Sequence, residues 1–187
     1  MRSICTECQD VLLASIVSDV PGAPESVTYA VSFEGRARQL ILGLKYRNER
    51  ATARMLANVL VSRLDSVHRN ADIVTWAPTS SRRRRERGHD QSELIARAVA
   101  RLIHRPCRSL LVRQGLAPQT GANRQHRLHG PQFRARRIRS VEHVLLVDDV
   151  VTTGATLRAA EAALYASGAG RVSTVAVAAT PSLESRR

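Results

Sequence analysis

Two adjacent carboxylates, Asp148 and Asp149, stand between an apolar run at 144–147 and the Thr-Thr-Gly sequence at 152–154. The apolar run predicts a buried strand, and ligands of open α/β sheets bind at the carboxyl ends of such strands. The threonines and the glycine open a predicted helix, whose N–H groups and hydroxyls suit a phosphate monoester. The pattern therefore predicts a ligand with a phosphate at one end and vicinal hydroxyls or a magnesium ion nearby, such as ribose 5-phosphate.

Each half of this pattern has an ordinary alternative. A pair of aspartates after a strand is often a solvated turn, and Thr-Thr-Gly is a common start of a helix. The thirteen residues 144–156 taken together favour the ligand site over these alternatives.

Four consecutive arginines, 82–85, follow a second apolar run at 72–77 that Pro78 ends. We predict a basic loop over 82–88, placed after a buried strand. Arginine binds diphosphate oxygens in a bidentate manner, so this loop is a candidate diphosphate site. The alternative is a solvated loop with a role in nucleic-acid binding or crowding.

The charge of the chain is concentrated in this region. Lysine and arginine together number 29 against 16 acidic residues, a net charge of +13, and Lys45 is the only lysine. The segment 82–139 holds 16 arginines and three acidic residues, so its net charge, 16 − 3 = +13, accounts for the whole excess. Such a segment indicates a polyanionic partner, either a multiply phosphorylated small molecule, a nucleic acid, or both.

The hydrophobic pattern predicts the elements that position these residues. We expect strands at 27–33, 72–77, 109–113, 143–147 and 171–178, and helices at 36–47, 51–64, 89–104 and 154–167. Polar loops are expected at 148–153 and over the long segment 114–139. Strands that alternate with helices after residue 70 favour a parallel α/β sheet.

Length and composition exclude several classes of protein. A chain of 187 residues with 43% hydrophobic residues is typical of one globular domain. No apolar run approaches the roughly 18 residues of a membrane helix, and the N-terminus is a poor signal peptide. We therefore expect a cytoplasmic protein without membrane association.

The three cysteines do not form a disulfide framework. Cys5 and Cys8 have the spacing of half a zinc ribbon, and two cysteines cannot complete a tetrahedral structural site. We predict no zinc in this chain and interpret Cys107 as an unrelated buried thiol.

Four segments carry a resemblance to a known family. The run 144–156, with the pattern D-D-x-x-T-T-G-x-T after an apolar strand, resembles the phosphoribosyl-pyrophosphate (PRPP) signature of type I phosphoribosyltransferases. Three further segments are similar to the ComF/GntX family, phosphoribosyltransferase-like proteins associated with bacterial competence. They are Arg-Gly-His-Asp-Gln at 87–91, Leu-Lys-Tyr at 44–46, and the stretch 119–127, which begins with Gln119 and ends with Arg127.

The resemblance implies a fold and a set of site residues. The fold is an α/β, type I phosphoribosyltransferase-like one, with a mostly parallel twisted central sheet flanked by helices and an N-terminal hood of helices and a strand. Asp148 and Asp149 would hold the ribose hydroxyls and act as the catalytic acids. The 5-phosphate would be bound by Val150, Val151, Thr152, Thr153, Gly154, Ala155 and Thr156. Pyrophosphate would be bound by Pro78, Thr79, Ser80, Arg82, Arg83 and Arg87.

A mobile lid is also implied over 114–130, with Gln119, Arg124 and Arg127 as its ligand contacts. Lys45 is a further candidate contact, with an ordinary helix-end cation as the alternative. Mg²⁺ would arrive with the bound ligand. We divide the chain into a zinc-ribbon remnant and linker at 1–26 and one domain at 27–187, with a hood at about 27–70 and a core at about 71–180.

Three functions remain open from the sequence. The first is transfer of a phosphoribosyl group from PRPP to a nitrogenous acceptor. The second is a sensor that binds PRPP or a ribose-5-phosphate-containing nucleotide without catalysis. The third is a nucleic-acid-binding accessory protein of DNA uptake that uses the arginine-rich face 82–139. A protein of the competence machinery and a second copy of the chain are further candidate partners.

Overall fold

A computed structural model describes residues 12–17, 19–47, 50–114, 131–138 and 143–181. The strands are β1 (Val27–Ser32), β2 (Ile73–Trp76), β3 (Leu111–Arg113), β4 (Phe133–Ala135), β5 (His143–Val151) and β6 (Arg171–Ala179). The helices are α1 (Gly35–Arg47), α2 (Arg50–Ser62), α3 (Ser66–Arg69), α4 (Ser81–Arg87), α5 (Gln91–Leu102) and α6 (Ala155–Ala166).

The central sheet has the strand order β1-β6-β5-β2, and every neighbouring pair is parallel. Strand β5 is therefore internal, paired with β6 on one side and β2 on the other. Because the strands are parallel, the carboxyl ends of β2 and β5 lie side by side at one edge of the sheet. This edge is where ligands of such sheets bind.

Helices cover one face of the sheet, and a helix with a small β-ribbon covers the other. Leu145 and Val147 of β5 face a core formed with α1, α2 and α5. Val144 and Leu146 face the opposite core, formed with α6 and the ribbon β3–β4. The predicted α/β class with a parallel central sheet flanked by helices is confirmed.

The first strand lies in the central sheet. β1 pairs in parallel with β6, with Val27 opposite Thr174 and Val31 opposite Ala178. The division into a hood at about 27–70 and a core at about 71–180 stays a prediction. Strand β1, which falls in the predicted hood, forms part of the same sheet as the strands of the predicted core.

The prediction of a polar loop over 148–153 is wrong for its first four residues. Strand β5 continues through Asp148 and Asp149 to Val151, because its pairing with β6 continues as far as Val151 opposite Ala179. Backbone pairing with β6 keeps this part of β5 extended, even though its sequence becomes polar. The loop after β5 is therefore confined to 152–154.

The predicted basic loop at 82–88 is also wrong for residues 82–87, which belong to helix α4. The hydroxyl of Ser80 caps the helix by accepting from the N–H of Arg83 at 3.3 Å. Gly88 ends it with φ +74°, a left-handed conformation that glycine adopts without strain. Between these two caps, arginine is a good helix former.

Part of the long segment predicted as loop is a strand. β4 pairs antiparallel with β3, with Arg113 opposite Phe133. Residues 115–130, which include most of the predicted lid, lie outside the described residues. Within the described parts of the chain, none of the helices combines the length and the apolar character needed to cross a bilayer.

Candidate active site

Asp148 is a buried carboxylate at the carboxyl edge of the sheet. Its side chain is 8% exposed, and its Oδ1 accepts hydrogen bonds from the Ser92 hydroxyl and from the N–H of Asp149, both at 2.8 Å. Burial raises the pKa of Asp148 well above its ordinary value, repulsion by the Asp149 carboxylate adds to the rise, and the hydrogen bond from Ser92 opposes it. Hydrogen-bond donors from a ligand would stabilise the ionised form of such a buried carboxylate.

The first turn of α5 fixes the loop that follows β2. Asp90 caps the helix, and its Oδ2 accepts from the N–H of Thr79 at 2.8 Å. The side chain of Asp90 is 4% exposed, and this burial raises its pKa, with repulsion from Asp149 as a further contribution. Asp90, Asp148 and Asp149 therefore form one acidic group at this edge of the sheet.

The start of α6 has a glycine at its N-cap, and the N–H of Ala155, its first residue, donates to Oγ1 of Thr153 at 3.4 Å. Gly154 occupies the capping position with φ +74°, and no side chain caps the helix from there. Thr152 and Thr153 are exposed beside it. Helix N-termini of this kind attract anions through their unpaired N–H groups and the helix dipole.

Two contacts hold this loop in place. The guanidinium of Arg158 donates to the carbonyl of Thr153 at 2.7 Å. A Cβ placed on Gly154 would lie 2.8 Å from Nη1 of Arg158 and 3.0 Å from Cγ of Pro24. The φ angle of Gly154 favours glycine, and a Cβ there would also require Arg158 and Pro24 to shift.

The arginines of α4 divide into paired and unpaired ones. Arg82 forms a 2.8 Å ion pair with Glu86 of the same helix, and Arg84 lies 3.9 Å from Glu93. Arg87 donates through Nη1 to Oε1 of Gln91 at 3.0 Å. Among the described residues, no carboxylate forms an ion pair with Arg87, so its charge remains available for an anion.

Arg113, at the end of β3, is a site residue that the sequence analysis missed. Its guanidinium stacks over the ring of Phe133, 5.7 Å from the ring centre. Burial lowers the pKa of Arg113, and the guanidinium of Arg83 lowers it further, whereas the carboxylates of Asp148 and Asp90 act in the opposite direction. Arg113 therefore lies close enough to Asp148, Asp90 and Arg83 to interact electrostatically with all three.

Some of the predicted ligand contacts are buried, and others lie outside the described residues. The side chain of Val151 is 2% exposed, so only its backbone can serve a ligand, and its carbonyl already accepts from Thr180. Lys45 lies in the last turn of α1, and its side chain is outside the described residues. The predicted contacts of the lid and the zinc half-site also lie outside them, namely Gln119, Arg124, Arg127, Cys5 and Cys8.

The described residues offer no metal centre made by the protein alone. Among them, no group of three or more His, Cys, Asp or Glu side chains is arranged to hold a metal ion. Mg²⁺ is commonly bound by one or two carboxylates together with the phosphates of a substrate. The acidic group fits this mode, in which the ligand supplies part of the coordination.

Comparison with known proteins gives two matches in sequence. Residues 52–187 match the family model described as the phosphoribosyl transferase domain. The DNA utilization protein YhgH of Escherichia coli (strain K12) is 31% identical over 147 residues, which cover 71% of this chain and 63% of that protein. The match thus spans less than two thirds of the length of this relative.

Two of the solved structures to which the chain is similar are an adenine and an orotate phosphoribosyltransferase. Adenine phosphoribosyltransferase from Thermoanaerobacter pseudethanolicus has 11% identity and a TM-score of 0.46, over 91% of this chain and 98% of that one. Orotate phosphoribosyltransferase from Aeropyrum pernix has 14% identity and a TM-score of 0.45, over 95% of this chain and 94% of that one.

Proposed function

Since the chain belongs to the phosphoribosyl transferase domain family, we propose that it binds PRPP with Mg²⁺ and transfers the phosphoribosyl group to a nitrogenous acceptor. One observation carries this proposal. Buried Asp148 and half-buried Asp149 stand on the strand that leads into the start of α6, and Arg113 of β3 interacts electrostatically both with Asp148 and with Arg83 of α4. This arrangement suits a sugar that bears phosphate groups at both ends.

The acidic pair would bind the ribose. Oδ1 of Asp148 accepts from the Ser92 hydroxyl and from the N–H of Asp149, and the same carboxylate would accept from a ligand hydroxyl. Asp149, half-buried beside it, would accept from the neighbouring hydroxyl. Binding both hydroxyls would fix the position of the ribose ring relative to the two phosphate sites.

The helix start would bind the 5-phosphate, and the arginines would bind the diphosphate. Residues 152–156 would supply hydroxyls and N–H groups to the 5-phosphate. The hydroxyls of Thr79 and Ser80 and the guanidinium groups of Arg83, Arg87 and Arg113 would supply donors and positive charge to the diphosphate. Arg83 and Arg113 repel each other, and a bound diphosphate would relieve that repulsion.

The reaction would displace pyrophosphate. The bond between C1 of the ribose and the diphosphate oxygen breaks with its electron pair leaving on pyrophosphate, while the acceptor nitrogen bonds to C1 and loses its proton to water. Arginine would stabilise the charge that develops on the leaving group. Bound Mg²⁺ would neutralise part of the same charge, with Asp148 and Asp149 as the carboxylates able to contact it.

Calorimetric titration of PRPP with magnesium chloride tests this proposal. We expect saturable binding to the wild type and its loss in Asp149→Asn. Asp65→Asn is the matched control. Asp65 caps α3, which leads into the amino end of β2, whereas the proposed site lies at the carboxyl ends of the strands. A folded wild type that does not bind PRPP, or an Asp149→Asn variant that binds it normally, would overturn the proposal. Release of pyrophosphate in the presence of nitrogenous bases then distinguishes a transferase from a sensor.

A second function, binding of nucleic acid, is favoured by the exposure of α4. Arg82, Arg83, Arg84 and Arg85 are all exposed on this helix, and the relative YhgH is named a DNA utilization protein. The triple variant Arg83/Arg84/Arg85→Ala separates the two functions. Weaker pyrophosphate binding supports the transferase, whereas a loss confined to DNA affinity, with a steep dependence on salt, supports the nucleic-acid function.

A further inference from the structure

Gln91, the first residue of α5, carries an unusual buried amide. Its side chain is 3% exposed, and its Oε1 accepts from Nη1 of Arg87 at 3.0 Å. Among the described residues, Nε2 of Gln91 is the one buried side-chain polar atom that has no hydrogen-bond partner. Arginine only donates, so the oxygen must face Arg87 and the unpartnered atom is the NH₂ group.

A buried NH₂ group without an acceptor opposes folding, because its hydrogen bonds to water are lost and not replaced. An apolar side chain of similar volume, such as methionine, would fill the same space without this penalty. Gln91 is therefore poorly explained by its contribution to stability. What glutamine provides and methionine does not is the acceptor for Arg87.

Arg87 lies at the junction between α4 and α5. It is the last residue of α4, and its carbonyl oxygen lies 2.8 Å from Nδ1 of His89, so its backbone is held in the turn between α4 and α5. Its guanidinium keeps its full charge, since the group that holds it is a neutral amide. A carboxylate at position 91 would hold Arg87 equally well and would neutralise it.

We propose that Gln91 is a positioning residue that orients the Arg87 guanidinium toward the diphosphate half of the ligand. This inference rests on the proposed function and adds to it a residue that contacts no reacting atom. The unpartnered Nε2 of Gln91 lowers the stability of the fold. In return, Oε1 of Gln91 restricts the orientation of the Arg87 guanidinium without neutralising its charge. In the part of the chain that the structure describes, the side chain of Arg87 makes one hydrogen bond, to Gln91, so four of its five N–H donors can serve diphosphate oxygens.

Gln91→Met tests the inference with three probes, namely pyrophosphate with magnesium, PRPP with magnesium, and ribose 5-phosphate. We expect affinity for pyrophosphate and for PRPP to fall roughly 10-fold, a typical loss for a misplaced charged donor, while affinity for ribose 5-phosphate and the midpoint of thermal unfolding do not fall. Gln39→Met is the matched control, because Gln39 accepts from Arg36 in the same way, at 3.2 Å, on the exposed face of α1. This control should change none of the three affinities.

A double-mutant cycle with Arg87→Met completes the test. If Gln91 acts through Arg87, adding Gln91→Met to Arg87→Met should not weaken pyrophosphate binding further. The inference is overturned if the two substitutions have additive effects, if pyrophosphate affinity of Gln91→Met is unchanged, or if ribose 5-phosphate affinity falls equally. A wild type that binds ribose 5-phosphate but not pyrophosphate overturns this inference alone, whereas one that binds no probe overturns the proposed function with it.

Discussion

The hydroxyl of Ser92 donates a 2.8 Å hydrogen bond to Oδ1 of Asp148, a residue 56 positions later in the chain. This bond joins the first turn of α5 to the end of β5. Two residues before Ser92, Asp90 accepts from the N–H of Thr79, which joins the same turn to the loop after β2. One helical turn therefore fixes both the loop after β2 and the acidic end of β5, and a substitution there should affect both halves of a ligand.

Replacing Asp148 with asparagine should stabilise the folded protein at neutral pH. Burial raises the pKa of Asp148, so ionisation costs free energy in the folded state and the wild type loses stability as the pH rises from the unfolded pKa through the folded pKa. The asparagine side chain would keep an oxygen that accepts from Ser92 and would carry no charge. We expect a gain of about 1 kcal/mol in the free energy of unfolding near pH 8, which disappears below about pH 4. Urea denaturation over this pH range measures it.

Asp65→Asn provides a control of opposite sign. The pKa of Asp65 is lowered, chiefly because its carboxylate accepts from the N–H of His68, and the side-chain contact with His68 adds to this. This variant should lose stability near neutral pH, with the loss fading as the pH falls through the folded pKa. Destabilisation of Asp148→Asn at pH 8 would contradict the role of burial in raising the pKa of Asp148.

Gly154→Ala should destabilise the protein more than Gly88→Ala does. Both glycines have φ +74°, so both substitutions impose the same backbone strain of roughly 1–2 kcal/mol. Around Gly88 there is no atom within 4 Å of the added Cβ, whereas at Gly154 the Cβ meets Arg158 and Pro24. The difference between the two free energies of unfolding isolates this steric contact. Equal values would show that Arg158 and Pro24 move aside without cost.

Arg113→Met should weaken binding of pyrophosphate by about 10-fold or more, because a half-buried cation that interacts with Asp148, Asp90 and Arg83 is removed. Arg134→Met on the adjacent strand is the control, since Arg134 is exposed and pairs with Val112. Calorimetric titration of pyrophosphate with magnesium chloride compares the two variants. Equal affinities would exclude Arg113 from the diphosphate site.

The part of the site that the sequence predicts well is the part encoded in one continuous segment. The run 144–156 specifies the apolar strand, the acids and the start of the helix together, and the predicted resemblance to the ComF/GntX phosphoribosyltransferase-like proteins is confirmed by the family match and the relative. The parallel sheet followed from strands alternating with helices. These features depend on local periodicity, which a single sequence shows directly.

The features that were missed depend on contacts between distant segments. Pairing with β6 keeps Asp148 in a strand, which no local pattern of polar residues indicates. Arg113 has no motif of its own, and its role emerges only from its interactions with α4 and with the acids of α5 and β5. Helix α4 could have been predicted locally, because Ser80 and Gly88 are typical helix caps. The run of arginines between them favoured the interpretation as a basic loop.

Cys107 should be unreactive in the folded protein. Burial raises the pKa of its thiol to about 11, so near pH 8 only about one molecule in a thousand carries the reactive thiolate. In a Cys5→Ser/Cys8→Ser background, we expect iodoacetamide to label Cys107 at least ~100-fold more slowly in buffer than in concentrated guanidinium chloride. Labelling of the folded protein should accelerate about tenfold for each pH unit up to the pKa. A native rate that does not change with pH would mean that access to the thiol, and not its ionisation, limits the reaction.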